Sequence, residues 1–230
     1  MLQEVEIQGV MSEILSEYEL DVTRELLNIA FANSADSFSS IAKQTVLFEP
    51  IMFEIDQDAK NFEIAHTGNP DFVVLETSIM GSMTGKSYLL FDTKQAEYIH
   101  EVGLPKEIKG EQCKMLEDAI LLEIDNMLAA AVITEFSNLM DIAMYGGVPS
   151  MLKMKEDEVN NLVKTDLENF AKNESEKFYV VKTNLTYILS ENSTIKPQFV
   201  WIFSEVFLNA IKSMVSNKKH HKILEYQKRN

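Results

Sequence analysis

The chain has 230 residues, 46% of them hydrophobic and 25% charged, which is the balance of a globular protein able to bury a real core. Its net charge of −15 argues against a nucleic-acid binder, whose phosphate partner requires a basic face. The acidity is uneven: from Ser216 onward five Lys or Arg accompany one Glu, leaving about −19 on the preceding part.

Ser16 with Glu19 three residues later forms a capping box, and a helical pattern runs from Glu17 to about Lys43. Within it, Asp21, Glu25 and Asn28 stand at i, i+4 and i+7 on one face, while Val22, Leu26 and Ile29 look elsewhere. Strand-like segments follow at Thr45 to Ile55 (interrupted at Pro50), Phe72 to Met80 and Ser87 to Phe91. Asp92 with Gln95 opens a short helix through Val102, which Gly103 and Pro105 end.

The second half replays this order. A long helix is expected over about Glu111 to Phe136, then Leu139 to Tyr145, a Gly146-Gly147-Val148-Pro149 break, and a polar helix from about Lys155 to Lys172. Phe178 to Leu189 and Gln198 to Phe203 read as strands, and Ser204 caps a closing helix to Val215. Cys113 falls in the apolar pattern of the long helix and reads as an inert buried thiol; as the only cysteine it suggests a reducing compartment.

Glu25 and Asn28 recur as Glu123 and Asn126, offset by 98, with Ala119 where the first copy has Asp21. Ser87-Tyr-Leu-Leu-Phe91 recurs as Phe199-Val-Trp-Ile-Phe203, offset by 112. The larger offset fits an insertion around the polar helix. We read an α+β fold built as a tandem, pseudo-twofold duplication: a single domain over 1–216 with half-repeats at about 17–103 and 111–216, and a basic tail at 217–230.

Glu-x2-Asn occurs four times, at Glu25, Glu123, Glu135 and Glu158, so by itself it means little. Only the first two copies interrupt apolar helical stretches with an Asn, a poor helix former. The residues alone admit a buried amide, a solvated stripe, or a functional carboxylate–carboxamide pair. Gly81-Ser-Met-Thr-Gly85-Lys86-Ser87 nearly spells a phosphate loop, but it has three residues between the glycines rather than four and no helix behind it, so a hairpin turn is expected. His66 and His100 are isolated, and His220 and His221 lie in the basic tail without metal-ligand spacing. No apolar run reaches the roughly 18 residues of a membrane span and no signal peptide is visible, so a cytoplasmic protein is expected.

With these residues in place, the chain resembles the CheC/CheX/FliY family of chemotaxis phosphatases. The family motif Asp/Ser-x3-Glu-x2-Asn matches Asp21, Glu25 and Asn28, followed by the small-residue helix Ile29 to Ala35, and Met83 to Phe91 matches a glycine-turned strand pair. The duplicated motif is most similar to two-site CheC, and the resemblance covers about residues 17–216. It implies α–β–β repeats, with two motif helices exposed beside a largely antiparallel sheet. It further implies hydrolysis of the aspartyl phosphate of a CheY-like response regulator: Asn28 and Asn126 orient the attacking water, Glu25 and Glu123 dock the partner, and Asp21 supports the first site. The Mg²⁺ belongs to the regulator, and this chain binds no cofactor. A CheD-like deamidase is a second partner the resemblance admits. The competing expectation is a non-catalytic, flagellar-switch-like scaffold.

Overall fold

The computed structural model describes residues 14–42, 45, 47–48, 52–56, 62–104, 110–173, 177–190 and 193–217. Its helices are α1 (Glu17–Ala42), α2 (Thr93–Gly103), α3 (Glu111–Met140), α4 (Glu156–Asn173) and α5 (Glu205–Ser216). The strands are β1 (Leu47–Phe48), β2 (Met52–Asp56), β3 (Asp71–Gly81), β4 (Gly85–Asp92), β5 (Met144–Gly146), β6 (Ser150–Lys155), β7 (Phe178–Asn184), β8 (Tyr187–Ser190), β9 (Ser193–Ile195) and β10 (Gln198–Ser204). The architecture is α+β, as the sequence implied.

The main sheet runs β2-β7-β10-β4-β3, with β5 and β6 both pairing along the outer edge of β3, and every neighbouring pair is antiparallel. At its centre β4 lies against β10, with Tyr88 opposite Val200 and Leu90 opposite Gln198. The order is symmetric about that pair. β3 and β7 flank it, and each half places a strand beyond the other half's outer strand: β2 joins β7, while β5 and β6 join β3. A short helix leaves each central strand, α2 after β4 and α5 after β10. A separate small sheet orders β1-β8-β9.

Both faces of the central strands are covered, so they read as unbroken apolar runs rather than as alternation. Leu89, Phe91, Phe199, Trp201 and Phe203 point into a core shared with α1, α3, α2 and α5. Tyr88, Leu90, Val200 and Ile202 point to the opposite face, where Val159, Val163 and Leu167 of α4 cover them. Phe136 of α3 stacks on Trp201 at 5.0 Å between ring centroids, fastening that helix to the sheet.

Several boundaries differ from the sequence reading. Leu139 and Met140 are helical, because the buried phase Val132, Ile133, Phe136, Met140 continues to Asp141, whose left-handed backbone (φ 60°) ends α3. Only Met144–Gly146 forms the strand beyond it. β6 was not anticipated: its faces are exposed or half-buried, so it carries no apolar run. The stretch Phe178 to Leu189 splits into β7 and β8, which belong to different sheets. Ser204 precedes α5, but its hydroxyl makes no cap bond and is buried without a hydrogen-bond partner among the described residues. Pro50, Pro105 and the basic tail from Lys218 lie outside the described residues.

Candidate functional site

The capping box at the start of α1 forms as expected. Ser16 N donates to Glu19 Oε2 at 2.7 Å, the Ser16 hydroxyl donates to the same oxygen at 2.8 Å, and Glu19 N returns a 3.4 Å bond to Ser16 Oγ. It fixes the helical phase, so that Val22, Leu26, Leu27, Ala30 and Phe31 are buried. On the other side Asp21 and Ala32 are exposed, and Arg24, Glu25 and Asn28 are half-buried. Both Glu25 and Asn28 are engaged in interactions rather than free. Asp21 Oδ1 accepts from Arg24 Nη1 at 2.6 Å.

On α3 the buried phase is Leu121, Ile124, Asp125, Leu128, Ala129 and Val132. The opposite stripe, Ala119, Glu123, Asn126 and Ala130, is exposed throughout. Among the described residues neither Glu123 nor Asn126 takes a hydrogen bond or ion pair from another side chain. A carboxylate and a carboxamide therefore stand three residues apart, both presented to solvent and flanked by small residues that let a partner surface approach. Asp118, adjacent to Ala119, is drawn off this stripe toward Lys153 at 3.6 Å.

The two long helices are antiparallel. Along α3, Asp118 reaches Lys153, which pairs with Val73, and Asp125 takes the Thr77 hydroxyl at 2.7 Å, so α3 runs with β3. Phe31 packs on Phe199 at the start of β10, and Phe38 lies farther back on Tyr187, so α1 runs against β10. β3 and β10 both lie antiparallel to β4 and share a direction. Asn33 Nδ2 bridges α1 to Glu135 Oε1 on α3 at 3.0 Å. Measured from that bridge, Asn28 and Asn126 lie on opposite sides, about 21 Å apart along the helices at about 1.5 Å per residue. The structure thus holds two separate stripes rather than one composite site.

The remaining Glu-x2-Asn copies have structural work. Glu135 holds the interhelical bridge to Asn33, and Glu158 accepts Lys155 N at 2.7 Å at the start of α4. Gly81 to Ser87 is the expected hairpin turn: Ser82 N donates to Ala143 O at 2.8 Å, and β4 begins at Gly85, whose Cα faces the Ile202 carbonyl so closely that an added Cβ would lie 2.1 Å from it. Lys86 is committed to Asp166 at 2.8 Å and Glu76 at 3.5 Å. Burial pulls its ammonium pKa down, but the bond and charge of Asp166 outweigh this and hold it above the ordinary value. His66 meets Glu156 at 2.8 Å on the surface. Cys113 is half-buried rather than buried, because it sits in the first turn of α3 with Glu117 Oε1 at 3.5 Å. Burial and that carboxylate both raise the thiol pKa, which disfavours a thiolate nucleophile.

Two residues near the stripes escaped the sequence reading. Asp125, between Glu123 and Asn126, is fully buried; burial pushes its carboxyl up to about 6, against the opposing hydrogen bond from Thr77. Arg24 flanks the first stripe. Each had a signal: an acid in the buried phase of a helix, and a rare arginine beside the motif.

No protein-family model matches the sequence, and no curated protein matches it. Among solved structures, Thermotoga maritima FliY is similar over 89% of this chain and 98% of its own, at 19% identity and a TM-score of 0.59. The chemotaxis protein CheX from Desulfovibrio desulfuricans covers 78% of this chain and 97% of its own, at 13% identity and a TM-score of 0.47. The FliM middle domain from H. pylori covers 87% and 99%, at 16% identity and a TM-score of 0.49. The similarity to FliY establishes the fold: this chain has the CheC/CheX/FliY-type architecture. Among the described residues no helix is long and apolar enough to cross a membrane.

Proposed function

We propose that the chain is a cytoplasmic protein phosphatase acting on the aspartyl phosphate of a CheY-like response regulator. The observation that carries this is the exposed Glu123–Asn126 pair on α3, repeated 98 residues earlier by Glu25–Asn28 on the other long helix. In this mechanism Asn126 or Asn28 enters the regulator's site and holds a water in line with phosphorus. The Glu three residues earlier docks on a cation of the partner. Water oxygen bonds to phosphorus as the bond from phosphorus to the aspartyl oxygen breaks, giving a free carboxylate and inorganic phosphate, with the water proton passing to phosphate or solvent. Catalysis by alignment requires neither a nucleophile nor a metal from this chain, since the Mg²⁺ travels with the regulator.

Exposure favours α3 as the principal site. Ala119 removes the supporting carboxylate there, but the pair that would act is retained and open. For α1, the half-burial of Glu25 and Asn28 makes it the slower of the two sites. Phosphate release from a phosphorylated regulator, measured for Asn126→Ala and Asn28→Ala separately, distinguishes the two. We expect Asn126→Ala to remove most of the activity; a larger loss from Asn28→Ala would reverse the assignment of the principal site.

A further inference from the structure

The two stripes differ in one respect that the duplication makes visible. The chain has two arginines, Arg24 and Arg229, against 19 lysines. Arg24 is the only basic residue in α1. It lies one turn before Asn28, at the edge of the Asp21–Glu25–Asn28 stripe, and its Nη1 bonds Asp21 Oδ1 at 2.6 Å with side-chain exposures of 40% and 68%. At the 98-residue offset, α3 has Ala119 for Asp21 and Leu122 for Arg24. Acid and base are missing together, while Glu and Asn are both kept. The i, i+3 ion pair with Asp21 contributes little to helix stability by itself, although Arg24 is half-buried and engaged beyond that pair.

We propose that Arg24 is a phosphate-recognition residue of the first site, held by Asp21 in the free chain and transferred to the partner's phosphoryl group on docking. This rests on the phosphatase assignment above. A guanidinium is planar and permanently charged, and it offers parallel N–H donors that match two phosphoryl oxygens. Residues four apart on a helix have Cβ atoms about 5–6 Å from each other, so Arg24 reaches the group whose water Asn28 aligns. Asp21 neutralises the guanidinium until an anion of higher charge arrives, which keeps the first site from trapping carboxylates indiscriminately. In a chain of net charge −15, Arg24 also offsets part of the repulsion that the incoming anion would otherwise meet from Asp21 and Glu25. The second site, with Leu122, engages a regulator without this reading of its phosphate.

The test uses the full chain carrying Asn126→Ala, so that α1 is the acting site. Phosphate release is measured, together with the affinity for a CheY-like regulator with and without beryllofluoride, an acyl-phosphate mimic. We expect Arg24→Gln to cut release by about tenfold, the loss of one charge-assisted hydrogen bond, and to collapse the affinity ratio between the two regulator forms. Arg24→Lys should restore part of both. A structural role for Arg24 would leave the ratio unchanged. Thus an unchanged ratio in folded Arg24→Gln, or full activity in Arg24→Lys should the Gln variant fail to fold, overturns the assignment while leaving Asn28 in place. Absence of release by the unaltered chain overturns the phosphatase assignment with it.

Discussion

Asp125 and Asn126 are neighbours in sequence with opposite surroundings. Asn126 faces solvent, whereas Asp125 is sealed against β3 with one oxygen bonded to Thr77 and the other, Oδ1, buried without a partner among the described residues. A carboxyl raised from 3.8 to about 6 binds its proton more tightly folded than unfolded. Between about pH 4 and pH 6 the native state therefore holds more protons, and stability contributed by this residue increases as the pH falls through that window. The full shift corresponds to about 3 kcal/mol. Asp125→Asn removes the titration, so the native chain should gain up to about that amount relative to the variant between pH 7 and pH 4, read from urea midpoints. Parallel curves for the two proteins would mean that Asp125 does not titrate there. Retaining a costly buried carboxylate under the exposed pair fits a residue that sets where α3 sits on the sheet.

At the scale of elements, the close approach of β4 to β10 depends on Gly85. A Cβ there would meet the Ile202 carbonyl oxygen and also lie 3.2 Å from Phe203 Cα, both backbone atoms of the central partner strand. Gly85→Ala should therefore cost about 2–3 kcal/mol in urea unfolding through overpacking; a cost below about 0.5 kcal/mol would show that the strands separate freely. The long helices and central strands were legible in the sequence because capping boxes and unbroken apolar runs report local geometry. The ends that were misread depend on what each segment touches. Leu139 and Met140 look strand-like in isolation, yet the helical phase carries Met140 into the core. β6 is invisible to apolar periodicity because its place comes from pairing with β3. The motif residues were legible as a pattern, but their exposure was not. Ala119 interrupts the motif in the second copy, while packing leaves Glu123 and Asn126 exposed and Asp21 bonds Arg24.

For the whole molecule, the exchange of edge strands ties the halves together. β2 of the first half has its partner in β7 of the second, and β5 and β6 of the second pair with β3 of the first. Neither half can complete its sheet alone. Unfolding should accordingly show one cooperative transition by circular dichroism and Trp201 fluorescence, and a fragment covering 14–104 should not fold; two separated transitions would contradict this. The same dyad places the candidate stripes about 21 Å apart on antiparallel helices, at opposite ends of one rigid pair. The central claim is that a carboxamide from this chain aligns water on a regulator's aspartyl phosphate. Its most direct test is single-turnover phosphate release from a phosphorylated CheY-like regulator by the native chain and by Asn28→Ala/Asn126→Ala. The account predicts that the native chain accelerates release, and that the double variant loses about a hundredfold or more of that acceleration while still binding the regulator. Undiminished release by the folded double variant would contradict it.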